Sequence, residues 1–225
     1  MIIYILVLIF LLIAPVIWLN YVFAKNDKTL INMPFNGLEF GNNILNEIGL
    51  ENVKIEKSLI GDHYDLLEKK VKVSESRLSK KSLTAISIVC HEIGHAIQHN
   101  ENYKPLEQRT KIVKSTAWIS QLGSGLLLIG FPTILATGSY SLMKICLILV
   151  LISLCIGIIV HIVTLEVELD ASFKRALPII QKNVPSEYHD ACKAVLKAAA
   201  LTYIIGVIRN FVSLRFVWLL LSRIR

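Results

Sequence analysis

His91, Glu92 and His95 stand in the order H-E-x-x-H. On an α-helix, residues four apart lie one above the other, so the two imidazoles face the same way and can take two corners of a zinc tetrahedron, with Glu92 beside them. Such an arrangement suits hydrolysis, in which the ion activates water and the carboxylate moves protons. Three fixed positions arise from composition alone on the order of once per hundred chains of this length, so the context carries the weight. Ser82 offers an N-cap, residues 83–90 contain no Gly or Pro, and Asn100 and Pro105 lie beyond the last His, which predicts a helix from Ser82 to about Asn100. Ile86, Val89, Ile93 and Ala96 would pack on a core while the His pair faces a cleft. Gly94 would let another backbone approach closely, as a substrate does in a cleft. His99 continues the same face, but two turns from His91 is roughly 12 Å, too far for one ion. It reads as a residue of the cleft rim. Gln98 and Glu101 occupy positions where the extended three-His pattern needs Gly and His.

Catalytic zinc sites have three protein ligands and one open position, and two His with one Glu is an established set. The acidic stretch from Thr164 to Ser172 follows directly on an apolar run, where carboxylates are costly and need a partner. Glu166 and Glu168 are both candidates for the third ligand. Glu166-x-x-x-Asp170 resembles the Glu-x-x-x-Asp arrangement of other Glu-liganded proteases, in which the Asp braces a zinc His, so Asp170 is a candidate brace under either assignment. His63, Tyr64 and His161 are candidates for contacts to substrate or to a developing oxyanion. The strand around Val71 and Val73 is a candidate for binding an extended peptide by adding it to a sheet edge, with an ordinary Lys-edged hairpin as the competing reading. A non-catalytic membrane scaffold with a structural zinc is the alternative from another class, and it would require a fourth protein ligand.

These residues need elements to hold them. With 54% hydrophobic residues and a mean hydropathy of +0.58, the chain is expected to be a membrane protein. The fold class is mainly α with a small β-sheet, a membrane-anchored zincin-like protease domain with an inserted transmembrane helical hairpin. Residues 1–23 form an N-terminal transmembrane helix, long enough for a bilayer core of about 30 Å and bordered by Trp18 and Tyr21. Residues 24–116 hold the first part of the zinc-protease domain. A short helix from Gly37 to Ile48 behind Asn36 is followed by a small antiparallel sheet, with Val53–Glu56 and Lys70–Ser74 as strands and Gly61–Asp65 as the turn, and then by the zinc helix. Residues 117–163 are the transmembrane hairpin, interrupted at Pro132 and turning at 138–141. Residues 164–197 are the second part of the domain. Residues 198–225 are apolar and basic, either spanning or interfacial, with Arg209, Asn210 and Arg215 arguing against a span. Two crossings return the acidic stretch to the side of the His pair. Lys25 and Lys28 follow the first span and the 138–141 turn is uncharged, which places the site on the cytoplasmic side of the plasma membrane. Cys90, Cys146, Cys155 and Cys192 show no paired spacing and read as buried small hydrophobes. The net charge of +7 comes partly from Arg209, Arg215, Arg223 and Arg225 beside an apolar segment, without aromatic interleaving, so lipid is an expected partner and nucleic acid is not.

In order and separation, Asp62-His63-Tyr64-Asp65, the run His91 to His99, Pro105-Leu106 and Val167 to Ser172 resemble the bacterial neutral zinc metallopeptidases of the YugP type. The resemblance covers most of the chain after the first span, and its combined motifs are far more specific than the H-E-x-x-H pentad. It implies a membrane-associated zinc metallopeptidase with one catalytic Zn2+, His91, His95 and Glu168 as ligands, Glu92 as base, and a peptide or protein substrate. Leu169 stands where the family usually carries an aromatic residue, a change that alters local packing and leaves the carboxylate in place.

Overall fold

The computed structural model describes residues 2–223, with the side chains of 10 and 13–222. The order is α1 (Ile2–Asn26), α2 (Gly37–Glu47), β1 (Lys54–Ser58), β2 (His63–Asp65), β3 (Lys70–Ser74), α3 (Glu75–Leu78), α4 (Leu83–Asn100), α5 (Lys104–Gly125), α6 (Phe131–Thr137), α7 (Tyr140–Leu169), α8 (Leu177–Asn183) and α9 (His189–Arg223). Two π-helical segments, Leu126–Gly130 and Asp170–Ala176, join α5 to α6 and α7 to α8. The molecule is mainly helical with a small sheet, the class expected from the sequence. Its described residues fall into two units. One comprises 2–13, 107–165 and 203–223, and the other 14–106 and 166–202.

The second of these units carries the sheet and α4. Asn36 starts α2 through a capping box, in which its side chain accepts from the Glu39 N–H while the Glu39 carboxylate accepts from the Asn36 N–H. In β3 the alternation of Lys and Val turns Val71 and Val73 inward, both with 0% exposure, and leaves Lys70 and Lys72 to pair with Glu56, Glu68 and Asp65. The sheet departs from the expected hairpin. Its order is β1-β3-β2, with β1 parallel to β3 and β2 antiparallel to it. Residues 63–65, expected as turn, form the edge strand β2, because the turn signal sits one step later. The Asp65 carboxylate accepts from the N–H groups of Leu67 and Glu68 at 2.9 and 3.0 Å and closes the β2–β3 connection there. The chain leaving β1 thus reaches the far edge first and returns through the middle, which makes β3 central and parallel to β1.

Ser82 caps α4 by accepting from Ala85 N–H at 3.1 Å, while its hydroxyl donates to Asp27. Ile86, Val89 and Ile93 join Phe40, Ile44 and Val73 in the main core. The helix was expected to leave one face open. Instead it is buried from Leu83 through Ala96, on the His side as well. On the far side of α4, Ile88 packs with Val22 of α1 and Val195 of α9. The expected first span coincides with helical α1, but its side chains at 2–9, 11 and 12 lie outside the described residues.

Among the described residues, three helical stretches are long and apolar enough to cross a membrane, at Lys104–Thr137, Tyr140–Asn183 and Ser186–Ser222. The first two contain the expected hairpin. Pro132 does not break the first, because it sits in the opening turn of α6, where a missing N–H costs little, directly after the π-helical turn. The third stretch is the one that its polar residues argued against. Within it a Cβ on Gly157 of α7 would lie 2.4 Å from the Asn210 side-chain nitrogen, so the amide sits against the backbone of a neighbouring helix in the same unit.

The Asp65 carboxyl is held down at about 2, chiefly by the Lys72 ammonium hydrogen bond and by the Glu68 N–H. A depressed carboxylate pKa contributes stability above the unfolded value near ~3.9, and that contribution is lost as pH falls through the folded value. Asp65→Asn should therefore melt below the parent at pH 6, and the gap in Tm should close between about pH 4 and pH 2 in thermal unfolding of the detergent-solubilised protein.

Candidate metal centre

Two buried elements meet at the site. From α4 come His91 and His95, four residues apart, with ring centroids 4.8 Å apart. The end of α7 supplies Glu168, whose Oε2 lies 3.1 Å from His91 Nε2 and 3.4 Å from His95 Nε2. One ligand atom from each of the three residues lies within 4.8 Å of the others. Bonds of about 2.0–2.2 Å at tetrahedral angles place neighbouring ligand atoms roughly 3.4 Å apart, so the His–Glu separations suit a single zinc ion. The far side of each ring is also held. His91 Nδ1 lies 3.0 Å from the Ser172 hydroxyl, which in turn donates to the Leu196 carbonyl at 3.5 Å. A proton on His91 Nδ1, donated to that hydroxyl, would leave the Nε2 lone pair pointing inward. His95 Nδ1 lies 3.0 Å from Gln98 Oε1.

Gly94 makes this meeting possible. A Cβ there would lie 2.6 Å from the Ala171 carbonyl oxygen and 3.3 Å from its Cα. The backbone that Gly94 admits is therefore the π-helical segment Asp170–Ala176 of the same chain, and not a substrate as expected from the sequence. This segment also covers the His face, which is why α4 is buried all round. Cys90 adds a contact by donating to the Ala176 carbonyl at 3.4 Å.

Burial alone would push His95 toward its neutral form, but the Glu168 carboxylate beside it, with Glu92 farther off, holds its pKa above the ordinary value. The two carboxylates thus favour a cation among the rings. Glu92, Glu168 and both imidazoles are each less than 10% exposed. In so dry a site, charge interactions are stronger than at a surface.

The structure brings Glu168 to the His pair, and Glu166 is exposed. Asp170 is buried and, among the described residues, reaches His95 through Gln98, whose Nε2 donates to Asp170 Oδ1 at 3.0 Å. Tyr64 bonds His99 Nδ1 at 3.0 Å, and burial together with the charge of Asp65 raises its phenol to about 12. Tyr64 and His99 line a cleft of about 260 Å³ with Ala96 and Asn100. His63 turns its Nδ1 to the Gly61 carbonyl at 3.1 Å. Val71 and Val73 cannot touch a substrate as expected: their side chains are core, and β3 is the central strand with both neighbours paired. His161 belongs to the other unit, where its ring packs against Gly206 and Tyr203 of α9. Ser172 and Gln98 were not singled out as supports from the sequence. Their signal is spacing, since Ser172 follows Glu168 by four residues and Gln98 follows His95 by three, each within reach of one helical face.

Comparison with known proteins gives the family. The profile of a family described as "Putative neutral zinc metallopeptidase" matches residues 1–222. The chain is 32% identical over 204 residues to the Bacillus subtilis (strain 168) protein named "Putative membrane protease YugP", covering 89% of this chain and 87% of that one. No solved structure matches significantly.

Gly94→Ala should separate α4 from the π-helical segment, because backbone blocks the new methyl and cannot swing aside as a flexible side chain would. The expected cost is about 1–3 kcal/mol. A lower Tm together with weaker Zn2+ retention by the purified protein is the expected result, whereas an unchanged melt would mean that the segment yields freely.

Proposed function

This chain belongs to the putative neutral zinc metallopeptidase family, and from that membership and the site geometry we propose that it is a membrane-bound zinc-dependent endopeptidase. The observation that carries the reading is the convergence of His91 Nε2, His95 Nε2 and a Glu168 oxygen in a buried site. Both rings are anchored from behind, at Ser172 and Gln98. Three protein ligands match a site with an open position, where a structural zinc would have four.

His91, His95 and Glu168 hold the ion. Zinc bound there supplies Lewis acidity, which acidifies water and polarises a carbonyl. Glu92 follows His91 on the same helix and acts as general base. It takes the proton of the attacking water and delivers it to the leaving amine nitrogen. Asp170 serves as a brace. The substrate is a peptide or protein, and the membrane helices favour one at or near the bilayer. Residues 24–116 and 164–197 act as one protease domain split by the hairpin at 117–163, a reading supported by the unit that gathers 14–106 with 166–202. Lys25, Lys28 and the uncharged 138–141 turn support a cytoplasmic site in a multi-pass plasma-membrane protein.

Glu92→Gln should keep its zinc and lose cleavage of casein or a peptide library by on the order of 10²–10⁴-fold. Cleavage at the parent rate would sink the mechanism. The ligand assignment has its own check, the zinc content after dialysis against a weak chelator. Glu168→Gln should be stripped of metal, because it loses the anionic ligand, whereas exposed Glu166→Gln should stay loaded. The opposite pattern would move the third ligand to Glu166.

A further inference from the structure

The geometry points to Gln98 as the positioning residue that fixes which nitrogen of His95 faces the metal, with Asp170 acting on the site only through it. Gln98 has 0% exposure, so every polar atom of its amide must find a partner inside the protein. Its Nε2 lies 2.8 Å from the Val167 carbonyl oxygen and 3.0 Å from Asp170 Oδ1. A carbonyl can only accept. The same Asp170 oxygen takes the Arg175 Nε–H at 2.7 Å, and Lys174 stands 3.7 Å from the other oxygen, which keeps this carboxylate an acceptor too. The group facing two acceptors has to be the NH₂, and the amide orientation is thereby decided.

Gln98 Oε1 is left toward His95 Nδ1 at 3.0 Å. An amide oxygen donates nothing, so His95 carries its proton on Nδ1 and presents the Nε2 lone pair beside Glu168. A flipped amide would set its oxygen against two acceptors and its NH₂ against the Nδ1–H. The chain of support continues outward, because Arg175 NH1 bonds Glu101 at 2.7 Å and its guanidinium lies 5.4 Å from the Tyr103 ring centroid. Glu101 is the C-cap residue of α4. The helix that carries His95 is thus tied at its end to the residue that orders the far side of that His.

This inference rests on the reading that His91, His95 and Glu168 hold zinc, and the test keeps the two apart. Zn2+ affinity of the full chain in detergent is measured by competition with a chromophoric chelator, with circular dichroism as the control for folding. Gln98→Met should weaken binding by about 10–100-fold and Asp170→Ala by about 10-fold. The double variant should match Gln98→Met within about twofold, because Asp170 has nothing left to act through. Asp170→Asn, whose amide oxygen still accepts from Gln98 and Arg175, should bind close to the parent. Should Gln98→Met fail to fold, Gln98→Glu replaces it, since that side chain accepts from His95 but donates to neither Val167 nor Asp170, and its affinity should fall as in Asp170→Ala. Parent-like affinity in the Gln98 variants, or effects of Gln98→Met and Asp170→Ala that multiply in the double variant, would overturn the role of Gln98. A parent that holds no Zn2+ would instead bring down the metal reading, and this inference with it.

Discussion

The arrangement depends on one buried carboxylate between two imidazoles. Moving Glu168 out of water costs several kcal/mol unless its charge is met at close range, and a cation held jointly with His91 and His95, whose Nε2 atoms lie 3.1 and 3.4 Å from its oxygen, would meet it. The rings can hold that cation only if their inner nitrogens are directed, and this is the work of Ser172, Gln98 and the groups behind them. Removing one member of such a set leaves the others as unpaired polar groups in a dry interior, which is costlier than never having buried them. Packing, polar satisfaction and ligand geometry therefore reinforce one another here.

The π-helical segment Asp170–Ala176 gives this constraint its shape. Wider turns are uncommon and concentrate at functional sites. Here the segment lies against Gly94 while Asp170 bonds Gln98, Ser172 faces His91 and the Ala176 carbonyl accepts from Cys90. A single stretch of seven residues thus meets α4 along three of its turns. Side-chain capping could not achieve this density of contact, because the contacts at Gly94 and Cys90 use backbone carbonyls.

Much of this was legible in the sequence. The four-residue His spacing, the Ser82 cap and the acids placed beyond an apolar run each report a local physical demand, and the structure meets each in place. The misses came where the deciding contact is remote. Alternation in Lys70–Ser74 marks a strand with one buried face, but nothing in five residues says that both edges are taken. The burial of the His side of α4 depends on a segment far along the chain. Gln98 read only as a departure from the three-His pattern, and it is fully enclosed.

Glu168 follows His91 by 77 positions in the chain. At translation rates of ~5–20 residues per second, His91 is synthesised roughly 4–15 s before its carboxylate partner. In that interval the chain between them, with its two apolar stretches, is also being made. Completion of the metal site is thereby coupled to biogenesis, and a nascent chain arrested before Glu168 holds only two of the three ligands. A metal site built in this order stays incomplete on the ribosome through chain connectivity alone.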